Sequence, residues 1–162
     1  LGHTVILDGG PPCLAGTYGA VEGLVQRDAI VERATLRLRR GRESVIDEMV
    51  EGDLSKITPR IIFDAAEKGD ELAIQVFAEV GHYLGVAMGN FINVFNPDVL
   101  AVGGQIAKAE KYLIEPARKA ARDVAIPSLF RDVRIVVAEQ LDDAGMLGGA
   151  ALALEKHKWK TR

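Results

Sequence analysis

Asn96-Pro97-Asp98-Val99-Leu100-Ala101-Val102-Gly103-Gly104-Gln105 is the most informative run in the 162-residue chain. Asn-Pro-Asp is turn chemistry and closes whatever precedes it. Four apolar residues bounded by turns on both sides predict a buried strand in a parallel sheet. Gly103-Gly104 ends that strand. A helical pattern then covers 107–125, with Pro116 beginning a second helical piece, because proline fits the first turn of a helix and not its interior. Residues 133–138 predict a second buried strand. Asp142-Asp143 suit the cap of a last helix over 144–156. The order is strand, Gly-Gly turn, helix, strand, helix, which is the alternation of an α/β fold.

Upstream the chain is mostly helical. Residues 71–96 carry Val76, Phe77, Val80, Leu84, Met88, Phe91 and Phe95 at spacings of three and four, one sustained apolar face. Gly81, Gly85 and Gly89 lie along one side of that helix. Each costs about 1 kcal/mol relative to Ala, so close packing of another backbone is expected to compensate. Thr58-Pro59 opens a helix running to 68, with Thr as cap and Pro at the first position. Gly69 stops it and Asp70 caps the next. Residues 41–57 read as a weak helix and a loop, and 22–40 as one helix. Residues 3–7 read as a short strand, followed by the turn Asp8-Gly9-Gly10-Pro11-Pro12 and a long glycine-rich loop.

Composition narrows the function. The chain is 48% hydrophobic and 27% charged, the balance of an ordinary globular protein rather than a disordered one. Its formal net charge is −3, so nothing in it asks for a nucleic acid or an anionic membrane through this domain. One cysteine, Cys13, excludes an internal disulfide and suits a reducing, cytoplasmic setting. No apolar run is expected to span a membrane. A single domain over 1–162 is expected, and the start at Leu1 without Met suggests a fragment.

Two places can carry chemistry. The turn Gly103-Gly104-Gln105 follows a strand end, where open α/β sheets bind ligands and where a helix start favours anions. The first loop holds His3, Cys13 and Glu22. His3 and Cys13 are donors a metal would accept, but a structural zinc needs four. No Walker-type phosphate loop, HExxH or GxSxG is present.

The motifs taken together resemble the ROK family (repressor, open reading frame, kinase). Leu1-Gly2-His3, Cys13, Gly16, Gly19 and Glu22 are similar to its Glu-x-Gly-His and cysteine-loop signature. Phe95-Asn96-Pro97-Asp98 followed by Val99 to Gly104 resembles its strand-and-turn. Asp143-Ala144-Gly145-Met146-Leu147-Gly148-Gly149-Ala150-Ala151 resembles its C-terminal helix. The resemblance implies an actin-like, hexokinase-type (ribonuclease H-like) ATPase lobe, the C-terminal domain of a glucokinase-like sugar kinase. The N-terminal lobe, with its Asp-x-Gly-Gly-Thr motif and the Asn-Asp catalytic base, would lie outside this chain. No catalytic residue is then expected within it.

Carried onto this sequence, His3 and Glu22 would bind the sugar, and Gly103, Gly104 and Gln105 would border the adenosine of ATP, used with Mg. The expected partners are a hexose, glucose first, ATP, and a second copy in a homodimer. The alternative is the sugar-sensing domain of a ROK-type transcriptional repressor. One departure stands out. Ala15 and Ala20 occupy two positions where the family has zinc-binding cysteines, so no metal site is expected.

Overall fold

The computed structural model describes residues 1–139 and 143–160. The expected cap at Asp142 lies outside them. The organising element is a long helix, α5 (Glu71–Phe95). It forms where the apolar periodicity predicted it. The Asp70 carboxylate accepts from the Ala73 N–H at its start, and Asn96 closes it in the left-handed conformation at φ 42°. By length and composition alone α5 could cross a membrane, but 56% of its most apolar stretch is buried inside the protein, as in a core helix.

Against α5 pack α2 (Arg27–Arg39), α4 (Pro59–Glu67) and, further along, α6 (Glu115–Val124). Thr58 caps α4 through the Ile61 N–H, with Pro59 at the first turn, as the dipeptide dictates. The weak helix expected within 41–57 is α3 (Val45–Met49), capped by Ser44, followed by a 3₁₀ turn at Leu54–Lys56. The larger core centres on Ile30, Ile46, Ile62, Leu72, Phe77 and Ile114. A smaller one joins Met88 and Ile92 of α5 to Ala117, Ala121 and Ile135.

The glycine edge of α5 meets α6. A Cβ on Gly81 would lie 2.4 Å from the Leu113 carbonyl oxygen, and one on Gly85 2.3 Å from that of Ala117. One on Gly89 would lie 2.6 Å from Val124 Cβ. Asn93 secures the far end, donating to the Val124 carbonyl at 3.2 Å and accepting from the Ile126 N–H at 2.7 Å.

Two parallel strands, β1 (Val99–Val102) and β2 (Arg134–Val137), pair Val99 with Arg134 through Val102 with Val137. The crossover between them carries a 3₁₀ turn (Gln105–Lys108), a π-helical turn (Glu110–Ile114), α6, and a short α7 (Pro127–Asp132).

Four expectations change. The strands are half-buried rather than buried. Ile135 is 6% exposed, whereas Val99 is 40% exposed, because α5 and α6 cover one face of the pair only. The helix expected over 22–40 is two, α1 (Val21–Val25) and α2, broken where Gln26 takes extended backbone. The strand expected at 3–7 is reduced to one antiparallel bridge, Val5 with Ala20, with a second bridge, Pro12 with Tyr18, in the loop beyond it. The Gly-Gly turn leads into a four-residue 3₁₀ turn instead of an α-helix, so the helix-start argument for anion binding there fails. The last helix, α8 (Ala144–Lys160), exposes Met146, Leu147, Leu152 and Leu154.

Candidate functional site

His3 and Glu22 are nineteen positions apart and meet in space. The Glu22 N–H donates to the Gly2 carbonyl at 2.8 Å, and the Val21 N–H to that of Thr4 at 3.0 Å. Those two carbonyls flank His3, so the backbone lays His3 beside the start of α1, where Glu22 sits in the first turn. Glu22 Oε2 lies 3.6 Å from His3 Nδ1. That oxygen is buried and has no hydrogen-bond partner among the described residues. A buried acceptor without a partner costs about 1–3 kcal/mol, and a ligand hydroxyl would relieve it. The His3 side chain is 63% exposed, so the pair opens to solvent.

Cys13 is buried behind them, its Sγ 3.0 Å from Thr17 Oγ1. The hydrogen bond with the Thr17 hydroxyl, helped by backbone N–H groups against the opposing effect of burial, draws the thiol below its ordinary value. Sγ of Cys13, a ring nitrogen of His3 and a Glu22 carboxylate oxygen all lie within 4.8 Å of one another. Those three side chains could approach one metal ion together. A closed four-ligand zinc does not fit. Ala20 is fully buried with its backbone in the bridge to Val5, Ala15 is exposed, and neither side chain can coordinate.

Gly103 and Gly104 are both exposed at the end of β1. Gly104 has φ +92°, a conformation other residues rarely adopt, with open space beside it. A Cβ on Gly103 would only touch Ala138 Cβ at 4.0 Å. Gln105 heads the 3₁₀ turn, and its side chain lies outside the described residues. A groove of about 460 Å³ runs from Leu1 past Phe91 and Phe95 of α5 and along β1 to Gly103.

A second cavity, about 350 Å³, lies just beyond that turn and escaped the reading of the sequence. Pro59, Phe63, Ile106 and Ala109 contribute apolar wall, with Arg27 and Arg60 also lining it. Its only sequence signal was Thr58-Pro59, which reads as a helix cap and nothing more. Arg33 and Arg37 of α2 both pair with Glu79 of α5.

The model of the ROK family matches residues 1–156. The glucokinase of Thermotoga maritima is 31% identical over 156 residues, covering 96% of this chain and 49% of that protein. The DNA-binding transcriptional dual regulator NagC of Escherichia coli is 32% identical over 152 residues, covering 94% of this chain and 36% of the regulator. A crystal structure of a ROK family glucokinase from Streptomyces griseus, in complex with glucose and AMPPNP, superposes with a TM-score of 0.83 at 27% identity. It covers 93% of this chain and 49% of that one. The chain therefore spans about half the length of the glucokinases it matches. The lobe has the actin-like, hexokinase-type fold of its ROK sugar-kinase neighbours.

Proposed function

The chain belongs to the ROK family, and from that premise we propose that it is the C-terminal lobe of an ATP-dependent hexose kinase of glucokinase type. The observation that carries this reading is the partnerless, buried Glu22 Oε2 beside His3. A carboxylate held there accepts hydrogen bonds from sugar hydroxyls, and charge-assisted bonds of this kind are roughly twice as strong as neutral ones. His3 adds a ring nitrogen on the solvent side. The pair orients the hexose so that one hydroxyl, at C6, faces the phosphoryl donor.

The donor is ATP as its Mg complex. Its adenosine rests against Gly103-Gly104, where the left-handed Gly104 leaves the backbone bare. The base enters the apolar cavity bounded by Pro59, Phe63 and Ile106, with Arg27 and the Asp64-paired Arg60 also at its wall. The base that takes the proton of the sugar hydroxyl belongs to the other lobe. That oxygen then attacks the γ-phosphorus as the bond to the β–γ bridging oxygen breaks, ADP leaves with that electron pair, and catalysis rests on positioning and charge stabilisation. In this reading the lobe works in the cytoplasm, within a homodimer, and makes no nucleic-acid contact.

The test is calorimetric titration of glucose and ATP into the complete two-lobe protein. Glu22→Gln should weaken glucose binding by about 1.5–3 kcal/mol, the range for hydrogen bonds to charged groups. ATP affinity should stay within error. Unaltered glucose affinity would reduce Glu22 to a helix-start residue and defeat the assignment.

The similarity to the NagC regulator supports a second reading, the sugar-sensing domain of a transcriptional repressor. The sugar pair would do the same work there, without phosphoryl transfer. Phosphorylation of glucose by the complete protein favours the kinase; sugar-dependent DNA binding without it favours the repressor.

A further inference from the structure

We propose that the first loop is a metal-independent clasp, in which Thr17 is a positioning residue that holds Cys13 and, through it, the wall behind His3 and Glu22. The inference rests on the sugar-site reading above only for what the clasp positions. The closed zinc that the family resemblance implies needs four ligands, and Ala15 and Ala20 remove two of them.

What closes the loop instead is visible bond by bond. Cys13 and Thr17 are joined twice, through Sγ and Oγ1 at 3.0 Å and through the Cys13 N–H to the Thr17 carbonyl at 2.8 Å. Between them the Gly16 N–H returns to the Cys13 carbonyl at 2.9 Å, a turn that Gly16 permits at φ +80°. Next outward, Pro12 bridges Tyr18, and the Gly19 N–H donates to the Pro11 carbonyl at 2.8 Å.

The closed loop then bears on the sugar pair. Gly23 sits one residue after Glu22, and a Cβ on it would lie 2.9 Å from the Pro12 carbonyl oxygen. The helix start carrying Glu22 thus rests directly on the segment that Cys13 anchors. Val21 and Glu22 are meanwhile bonded to the carbonyls on either side of His3. Every tie in this chain of contacts is a hydrogen bond or a van der Waals contact, and none requires an ion. A metal on His3, Cys13 and Glu22 would instead consume the carboxylate that the sugar needs.

The full chain, produced in zinc-supplemented medium, is analysed for bound metal and melted with and without a chelator, as wild type, Thr17→Val and Thr17→Ser. We expect metal far below one ion per chain and a Tm that the chelator does not move. Thr17→Val, which keeps the shape and loses the hydroxyl, should lower Tm by roughly 2–4 °C, and Thr17→Ser should restore it. In the complete two-lobe protein, Thr17→Val should also weaken glucose binding several-fold, with recovery in Thr17→Ser. One zinc per chain whose removal lowers Tm overturns the proposal, and so does a Thr17→Val Tm equal to wild type. If Thr17→Val does not fold, the wild-type metal content and chelator response decide alone. Neither of those involves sugar. A metal-free, chelator-indifferent chain in a protein that fails to bind glucose would refute the sugar-site reading and leave the clasp standing.

Discussion

Gly85→Ala tests the packing on which the lobe depends. In an open helix this substitution is favourable by about 1 kcal/mol, because Ala is the better helix former. Here the added Cβ would lie 2.3 Å from the Ala117 carbonyl oxygen, 2.6 Å from Ala120 Cβ and 3.0 Å from the Ala117 carbonyl carbon. Ordinary carbon contacts lie at about 3.5–4.0 Å, so α6 must retreat by on the order of 1 Å. All three atoms are backbone or Cβ, and no flexible side-chain end can swing away. A retreat of that size forfeits a quarter to a half of the dispersion along the α5–α6 seam. Overpacking of this kind costs about 1–3 kcal/mol net, which outweighs the helix propensity. For a chain of this length each kcal/mol moves Tm by roughly 2–4 °C, so a fall of about 2–12 °C is expected. Gly148→Ala in α8 is the control, since a Cβ there meets open space. Urea and thermal unfolding of the two variants give the comparison. If Gly85→Ala raises stability as Gly148→Ala does, the close α5–α6 contact does not exist in solution.

Two further outcomes follow from ion pairs and caps. At Glu79 partial burial favours the neutral acid, but hydrogen bonds and charge from Arg37 and Arg33 prevail and hold the carboxyl below its ordinary value. A depressed acid stabilises the fold above its unfolded pKa of about 4.3 and loses that contribution as pH falls through the folded value. Glu79→Gln should therefore be less stable than wild type at neutral pH, with the gap closing below about pH 4.3; a pH-independent gap in urea titrations would contradict this. Asp70 accepts from the Ala73 N–H at 2.8 Å with one oxygen and from the Val45 N–H at 2.9 Å with the other, tying α5 to α3. Asp70→Ala should cost about 1–3 kcal/mol, and Asp70→Asn, which retains a capping oxygen, clearly less; equal losses would show that the cap contributes nothing.

The sequence alone determined what depends on neighbours along the chain. Thr58-Pro59, Asp70 and the apolar spacing of 71–95 specify their helices because caps and helical faces are local, repeating contacts. The runs at 99–102 and 133–138 announced the two strands of the parallel pair for the same reason. The motifs quoted from Leu1 to Ala151 were enough to place the family. α7 went unread, since six residues are too few to show a period, although Pro127 was its signal.

Only the tertiary structure decided which surfaces are shared. Gln26 breaks the expected helix and lets α1 and α2 each pack on α5, a result that no local preference records. The strands expose one face because, among the described residues, helices pack on the other alone. The apolar cavity draws on residues near 27, 60, 77 and 106, which share no spacing rule. Residues 3 and 22 come together through two backbone bonds between distant segments, and Glu22 Oε2 has no hydrogen-bond partner among the described residues. A sequence names the side chains that can bind a ligand; whether their unsatisfied atoms face one another depends on long-range closure of the chain, and that is settled only when the whole lobe folds.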